Sequence, residues 1–277
     1  MQSGADGRRD RGATPRCPPR SSSIERRGAA LTARTITIVG SGDAVAHAGR
    51  SHASAVVRVA GGPPILIDAG DGVSRALAEL GQVPVDLGAI LLTHLHPDHA
   101  AGLPGLIQQL RLAAEPPKRP IPLLLPPEAL PELEAVLRFF GLDPPRVSGA
   151  VDPHPLVAGE PLPLGSNLFL RALRNDHLPS DEASTLKNSF SFEFSHGRHR
   201  LYYSGDLSSI AEVERDSASA DLAILDAGHL EQEAATAAAL AAGARSIVLT
   251  HRSDGRRPIP RSELRVSWAE EGREYGW

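Results

Sequence analysis

The chain has 277 residues and a formal net charge of −4 at pH 7, which is enough length for one large domain with a sizeable core. No run approaches the roughly 18 consecutive apolar residues of a membrane-spanning helix, and the first residues lack the apolar segment of a secretion signal. We therefore expect a cytoplasmic protein with no membrane partner. The single cysteine, Cys17, leaves histidine and carboxylate as the ligands for any metal in the rest of the chain.

The charge is distributed unevenly along the chain. Residues 1–34 contain eight arginines and three carboxylates, a net charge of +5, so the remaining residues carry −9. Small polar residues, prolines and arginines dominate the start, which predicts a disordered basic tail over residues 1–33 and one folded domain over residues 34–277. The acidic domain argues against a surface that coats nucleic acid.

Apolar runs rich in β-branched residues and bounded by Gly, Pro or Asp predict strands. In chain order they are RTITIVG, SAVVRVAGG, PPILIDAGDG, GAILLTH, IPLLLPP, LFLRALRN, SFSFEFSHG, RHRLYYSGD, ADLAILDAG and ARSIVLTH. Helical spacing of apolar residues predicts helices around Val73–Leu80 and at AAGLPGLIQQLRLA, EALPELEAVLRFFG and EQEAATAAALAAG. A proline-rich connection is predicted from Asp143 to Pro163. This order indicates a layered α/β domain with sheets packed together and helices outside.

Four of the predicted strands end in a titratable side chain. ILLTH runs into His94, LYYSGD into Asp206, IVLTH into His251, and LIDAGDG carries Asp68. Strand ends combine a rigid scaffold with access to solvent, and for that reason binding sites are often built there. Four such ends in one chain indicate a shared site rather than isolated surface residues.

The segment HLHPDH has the composition of a metal site. His94 and His96 alternate along an extended segment and can point the same way. The turn that follows redirects Asp98 and His99 to a neighbouring point, so one segment can serve two metal ions about 3.5–4 Å apart. An anionic ligand between two divalent ions is favourable electrostatically, and Asp206 is the candidate for that bridge.

These motifs together resemble the metallo-β-lactamase superfamily of hydrolases. THLHPDHAAG resembles its H-x-H-x-D-H signature, and LIDAGDG, NDHLPS, YYSGD and IVLTH resemble its other motifs in the same order. The resemblance covers the chain from about Thr35 to His251. It implies an αββα four-layer sandwich, an α/β fold in which a site for two metals lies at the edge of the two sheets.

The resemblance also implies a ligand set. The first ion would be held by His94, His96 and His177, the second by Asp98, His99 and His251, with Asp206 shared between them. Asp68 resembles a carboxylate that orients a ligand histidine. His154 lies between the same flanking motifs and is an alternative to His177, which we favour because it directly follows a strand. Two divalent ions are expected, Zn²⁺ first, with Mn²⁺ or Fe²⁺ as alternatives.

His229 narrows the expected chemistry. It lies 22 residues before His251, after a strand and ahead of a helix, and this placement resembles the ribonuclease Z-like and phosphodiesterase branch of the family. The resemblance implies that a metal-bridging hydroxide attacks phosphorus while His229 assists the leaving oxygen and Asp98 shares in proton handling. The alternative is a surface or helix-capping histidine without a catalytic part.

The expected substrate class depends on the segment between His177 and Asp206. His177 and Asp206 are only 29 positions apart, so the long tRNA-gripping insertion of ribonuclease Z is missing there, and a small phosphodiester is favoured over nucleic acid. The alternatives are hydrolysis of a lactone, thioester or sulfate ester, tRNA 3′ processing, and a non-catalytic metal-binding protein. A homodimer is compatible with the resemblance. The ending after His251 departs from family members that close with a further strand.

Overall fold

The structure is a computed structural model, and it describes residues 34–143, 149–178, 185–253 and 265–277. The predicted disordered tail over residues 1–33 lies outside the described residues. Two sheets contain the described strands. The first sheet consists of β1 (Arg34–Gly40), β2 (Ser54–Val59), β3 (Ile65–Ile67), β4 (Ala89–Leu91), β5 (Ile121–Leu125), β6 (Val151–Pro155) and β14 (Glu274–Gly276). The second consists of β7 (Pro161–Gly165), β8 (Leu168–Asn175), β9 (Ser189–His196), β10 (His199–Tyr203), β11 (Leu222–Asp226), β12 (Ile247–Thr250) and β13 (Val266–Trp268).

Both sheets mix parallel and antiparallel neighbours. The strand order is β14-β1-β2-β3-β4-β5-β6 in the first sheet and β13-β12-β11-β10-β9-β8-β7 in the second. In the first sheet β3, β4, β5 and β6 run parallel to one another, and in the second β10, β11, β12 and β13 do so. The described helices are α1 (Val73–Glu79), α2 (Pro97–Ala100), α3 (Leu103–Leu112), α4 (Ala129–Phe139), α5 (Ile210–Asp216) and α6 (Gln232–Ala241). The short helix α5 was not predicted.

Three apolar cores show that the arrangement has four layers. One core lies between the two sheets and takes side chains from both, a second lies between the first sheet and α1, α3 and α4, and a third lies between the second sheet and α5 and α6. Successive residues of a strand point to opposite cores: in β4, Leu91 faces the core between the sheets and Ile90 faces the core beneath the helices. Strands buried on both faces explain the uninterrupted apolar runs of the sequence. The predicted αββα sandwich is confirmed.

The core between the sheets depends on large side chains such as Phe192, which is fully buried on β9. We expect Phe192→Ala to lower the free energy of unfolding by about 3–5 kcal/mol, because neighbouring strands cannot collapse into the space that the ring leaves. Denaturant unfolding monitored by circular dichroism measures this change. Phe169→Ala on the adjacent strand is the control, since Phe169 is 42% exposed and its loss should cost no more than about 0.5 kcal/mol. Equal losses in the two variants would contradict this account of the core.

Two strands were missed where the sequence predicted only a proline-rich connection. Strand β6 lies within residues 143–163 and β7 overlaps their end, and each is one of the two outer strands of its sheet. The backbone N–H of Leu156 donates to the carbonyl of Leu125. The backbone N–H and C=O groups of even-numbered residues of β6 therefore point towards β5, and the backbone nitrogens of Pro153 and Pro155 point towards the free edge. Proline is compatible with a strand at such edge positions because no ladder hydrogen bond is lost there.

The chain also closes differently from the expectation. After His251, β13 adds to the second sheet beside β12, and β14 adds to the first sheet beside β1. The expected departure from members that close with a further strand is therefore wrong. The two strands have three residues each, too few to give a recognisable pattern. Within the described part of the chain, none of the helices has the length and apolar character needed to cross a bilayer.

Candidate metal centre

Polar side chains follow the parallel strands at the end where those strands stop. In the first sheet Asp68 follows β3 and His94 follows β4; in the second Asp206 follows β10 and His251 follows β12. The carboxyl ends of parallel strands meet at one edge of a sheet, and the two sheets present these edges to each other. His177, which follows β8, joins the same group of side chains. The structure thus brings the strand-end residues of both sheets together.

One cluster consists of His94, His96, His177 and Asp206. The Nε2 atoms of His94 and His177 lie 3.1 and 3.3 Å from Nδ1 of His96. Each of these Nε2 atoms also lies 3.6 Å from Oδ2 of Asp206. Three ring nitrogens and one carboxylate oxygen therefore converge, which is a ligand set that Zn²⁺ accepts.

A second cluster shares Asp206 and adds Asp98, His99 and His251. Oδ1 of Asp206, the oxygen not used by the first cluster, lies 3.2 Å from Nε2 of His99 and 3.5 Å from Nε2 of His251. Oδ2 of Asp98 lies 3.0 Å from Nε2 of His251. Asp206 therefore presents one oxygen to each cluster, an arrangement that allows a carboxylate to bridge two ions.

In His94 and His99 the Nδ1 atom, the ring nitrogen that faces away from the clusters, contacts neighbouring polar groups. Asp68 is fully buried, and its carboxylate accepts hydrogen bonds from Nδ1 of His99 at 2.8 Å and from the backbone N–H of Thr93 at 2.8 Å. The hydroxyl of Thr93 lies 3.0 Å from Nδ1 of His94. These contacts leave the Nε2 atoms of His94 and His99 facing the clusters.

Sequence reasoning missed Asp226, which performs the equivalent task in the second sheet. This fully buried residue ends β11, and its Oδ2 lies 3.0 Å from Nδ1 of His229 while its Oδ1 lies 3.5 Å from Nδ1 of His251. Its Oδ1 also accepts a hydrogen bond from the N–H of Gly228. A signal was present in the sequence, because ILDAG around Asp226 repeats the pattern of LIDAG around Asp68.

His229 lies at the mouth of the clusters. Its ring stacks on that of His251, with centroids 5.2 Å apart, and its Nδ1 lies 3.7 Å from Oδ2 of Asp206. The side chain is 40% exposed, whereas the side chains of the four-residue second cluster are buried. The hydrogen bond with Asp226 holds Nδ1 and raises the pKa of His229.

His154, the alternative to His177, lies elsewhere. It belongs to the edge strand β6, is exposed, and lies 2.9 Å from the carboxylate of Asp152. It lines a cavity of about 760 Å³ between the two outer strands of the sandwich. Of His154 and His177, the structure therefore brings only His177 to the clusters.

The histidines of the first cluster are suited to binding a cation. Burial lowers the pKa of His94 well below its usual value and lowers that of His177 to about 4. Burial also lowers the pKa of His96. Neutral imidazoles offer a lone pair to a metal ion, so these rings need not lose a proton before they bind it.

The second cluster has the opposite electrostatics. Burial lowers the pKa of His99 and of His251, but the neighbouring carboxylates outweigh it: they raise the pKa of His251 to about 10 and that of His99 well above its usual value. Burial raises the pKa of Asp98, but the hydrogen bond with His251 lowers it by more, so the net shift of this pKa is downward. The carboxylates thus concentrate negative charge that attracts protons or divalent cations.

Two buried atoms show that the second cluster fits a metal ion. Nε2 of His99 and Oδ1 of Asp206 are buried and face each other at 3.2 Å, yet among the described residues neither has a hydrogen-bond partner of acceptable geometry. Buried polar atoms without partners are costly unless another group satisfies them. A divalent ion between the two atoms would satisfy both, and the histidine and carboxylate donors match its preferences.

The backbone around the clusters is tightly packed and locally strained. Asp68 and His251 both adopt a positive φ, 56° and 53°, a conformation that is uncommon for residues other than glycine. At Gly70 a Cβ atom would lie 2.1 Å from the carbonyl oxygen of Asp98. The LIDAGDG segment therefore packs against the HLHPDH segment so closely that only glycine fits at this contact.

The contacts of Asp68 allow a test of its expected role. We expect Asp68→Asn to weaken binding of the second ion about 10–100-fold, because the amide cannot support the imidazole of His99 as the carboxylate does. Asparagine tolerates the positive φ at this position, so the backbone should be retained. Calorimetric titration of the metal-free protein with Zn²⁺ measures the change. Asp71→Asn is the control in the same segment, since Asp71 is exposed; identical titrations of the two variants would rule out the role given to Asp68.

Comparison with known proteins identifies the family to which the fold and the motifs correspond. The model of the beta-lactamase superfamily domain matches residues 64–252, which span the strand-end residues from Asp68 to His251. Ribonuclease Z of Mycobacterium bovis is 38% identical over 111 residues, which cover 39% of this chain and 39% of that protein. The chain thus spans well under half the length of the curated relatives it matches.

Solved structures show the same fold at low identity. The metallo-beta-lactamase fold protein YhfI of Bacillus subtilis has a TM-score of 0.69 and 20% identity, covering 89% of this chain and 100% of that one. Human tRNase Z, short form, has a TM-score of 0.69 and 21% identity, covering 87% and 98%. A diphosphatase from the PhnP family has a TM-score of 0.67 and 19% identity, covering 88% and 98%.

Proposed function

Because the chain belongs to the beta-lactamase superfamily, we propose that it is a metal-dependent hydrolase that works with two divalent ions. The observation that carries this proposal is the position of Asp206, which offers one carboxylate oxygen to each of two His/Asp clusters. His94, His96 and His177 would hold the first ion, and Asp98, His99 and His251 the second. Zn²⁺ is the expected ion because all the ligands are imidazoles and carboxylates; Mn²⁺ and Fe²⁺ are the alternatives.

The metal ions and the side chains would contribute different parts of the hydrolysis. Divalent ions in these clusters would supply Lewis-acid chemistry that polarises an ester and acidifies water. His229 would donate a proton to the departing oxygen, since Asp226 holds its Nδ1 and the side chain reaches solvent at the mouth. Asp68 and Asp226 would keep the imidazoles of His99 and His229 in the required orientation.

We propose a small phosphodiester as the substrate class. Support comes from His229, a proton donor that suits an alkoxide leaving group, and from the segment between His177 and Asp206. Most of that segment is the hairpin of β9 and β10, which are joined by a two-residue turn. A hairpin this short offers little surface with which to grip a large nucleic acid.

A panel of substrates tests the proposal. The protein loaded with Zn²⁺, Mn²⁺ or Fe²⁺ is assayed with bis(p-nitrophenyl) phosphate, a cyclic nucleotide, a lactone, a thioester and an aryl sulfate. Turnover of the phosphodiesters at the highest kcat/KM is the expected result. Preference for the lactone, thioester or sulfate ester would keep the metal centre and replace the substrate class, and turnover of none of them would favour a non-catalytic metal-binding protein.

Processing of tRNA is the second candidate, because the curated relatives that match 39% of this chain are named ribonuclease Z. In that case the arginine-rich residues 1–33, which lie outside the described residues, would supply contacts with the phosphate backbone. Cleavage of precursor tRNA by the full chain and by a chain that starts at Leu31 decides the matter. Efficient cleavage by the full chain, lost on removal of the tail, would favour this candidate over a small substrate.

A further inference from the structure

The carboxylate of Glu212 has more hydrogen bonds than its place in a helix requires. Glu212 lies in the first turn of α5, and its side chain is buried, with 1% of the residue exposed. Oε2 accepts hydrogen bonds from the backbone N–H groups of Ser208 at 3.1 Å and Ser209 at 3.0 Å. Oε1 accepts a 2.6 Å hydrogen bond from the backbone N–H of Asp176, which is 36 residues away in sequence.

These two oxygens join two segments that each deliver a side chain to the first cluster. Asp176 directly precedes His177, and Ser208 follows Asp206 by two residues. Nε2 of His177 and Oδ2 of Asp206 lie 3.6 Å apart, close enough for both atoms to hold the same ion. The distance between the two ligands therefore depends on how the two segments are held together.

We propose that Glu212 is a positioning residue that fixes the separation of His177 and Asp206 by binding the backbone of both segments at once. The inference rests on the proposed metal centre, which it deepens by naming a residue that touches no metal ligand side chain. Hydrogen bonds that a carboxylate accepts from backbone N–H groups are stronger than those between neutral groups, and in a buried position they are not exchanged easily for water. The position of the first ion would then depend partly on the hydrogen bonds of Glu212, which lie outside the cluster itself.

A helix cap alone does not account for this arrangement. In a capping box the glutamate at the third helical position binds the backbone N–H of the N-cap residue, and the contact of Glu212 with Ser209 does so. The hydrogen bond to Asp176 lies outside that motif and leaves α5 altogether. The two roles can be separated, because Ser209→Ala removes the capping hydroxyl and its 3.3 Å hydrogen bond to Oε2 of Glu212 but leaves the hydrogen bonds that the carboxylate accepts from backbone N–H groups.

The test compares E212Q with S209A in the full chain. Glutamine has the shape of glutamate but only one accepting oxygen, so it must release one segment or point an N–H group at its donors. We expect E212Q to bind Co²⁺ about 10–100-fold more weakly in a chelator competition, with a weaker and shifted Co²⁺ absorption band. In the metal-free protein, hydrogen exchange should become faster over residues 175–178. S209A should lower the Tm by a few degrees and leave the Co²⁺ affinity, the absorption band and the exchange of residues 175–178 as in the unchanged protein.

The outcomes separate this inference from the proposed function. If E212Q matches S209A in Co²⁺ affinity, absorption band and exchange, Glu212 is a helix cap and the inference is wrong. If the unchanged protein binds no Co²⁺, the proposed metal centre fails, while exchange over residues 175–178 still decides whether Glu212 holds the two segments. Should E212Q fail to fold, E212D takes its place; its shorter side chain reaches one segment only, and the same loss of Co²⁺ affinity is expected.

Discussion

Asp206→Ala should lower the metal content from two ions per chain to one or none and reduce kcat/KM for the phosphodiester on the order of 10³-fold or more, about 4 kcal/mol of transition-state stabilisation. The physical reason is that Asp206 is the one residue shared by both clusters and supplies a separate oxygen to each. Without it, each cluster loses an anionic ligand, and the repulsion between two adjacent divalent ions is no longer reduced by the charge between them. Elemental analysis of the purified protein and steady-state assays measure the two effects.

Asp152→Ala is the control for this experiment. Asp152 is also an aspartate close to a histidine, but it lies exposed on β6 with His154 as its partner. This variant should keep both ions and the full activity. A metal content of two in Asp206→Ala, or no stoichiometric metal in the unchanged protein, would contradict the assignment of Asp206 as the bridge.

His229→Ala should reduce the turnover of a phosphodiester with an alkyl leaving group about 10²–10⁴-fold, the usual contribution of general acid catalysis. A p-nitrophenolate ion departs readily without a proton, so the loss for bis(p-nitrophenyl) phosphate should be smaller. Any thioester turnover should also change little, because a thiolate departs readily without a proton. The dependence of kcat on the pKa of the leaving group, compared between variant and unchanged protein, measures the effect.

Two further measurements make this result interpretable. The variant must retain two ions per chain, since its ring contacts His251 and a loss of metal would reduce all activities together. His154→Ala, at an exposed histidine remote from the clusters, should behave as the unchanged protein. An equal loss for alkyl and p-nitrophenyl esters would show that His229 acts on binding or charge and not as a proton donor.

The sequence predicted the layers of this fold because its strands and helices have different apolar patterns. Strands such as GAILLTH are apolar on both faces since each face meets a different core, and helix α6 ends where Gly243 follows it with a positive φ. The outer strands β6 and β7 escaped prediction because prolines occupy alternate positions in them. Proline is evidence against a central strand but not against an edge strand.

The residues of the two clusters and the supporting Asp68 were predicted from sequence motifs, whereas the supporting carboxylates Asp226 and Glu212 were not. His94, His96, Asp98 and His99 form one dense motif, so that their chemistry shows in the sequence itself. Asp226 and Glu212 instead meet groups from segments that are distant in sequence: Asp226 accepts a hydrogen bond from the backbone N–H of Leu207 and lies 3.5 Å from Nδ1 of His251, and Glu212 accepts one from the backbone N–H of Asp176. Only the folded chain shows which distant atoms these buried carboxylates meet.

The prolines of β6 have a consequence for self-association. An unpaired outer strand normally offers a row of N–H donors on which a strand from another molecule can grow, and this is a common start of aggregation. At Pro153 and Pro155 an approaching strand would meet pyrrolidine carbons instead of donors. Prolines at alternate positions of β7 similarly reduce the donors of the second sheet at the same end of the sandwich. Two of the four outer strands of the described sheets, β6 and β7, are thus poor templates for β-sheet extension, and a dimer of this protein is not expected to form by pairing across them.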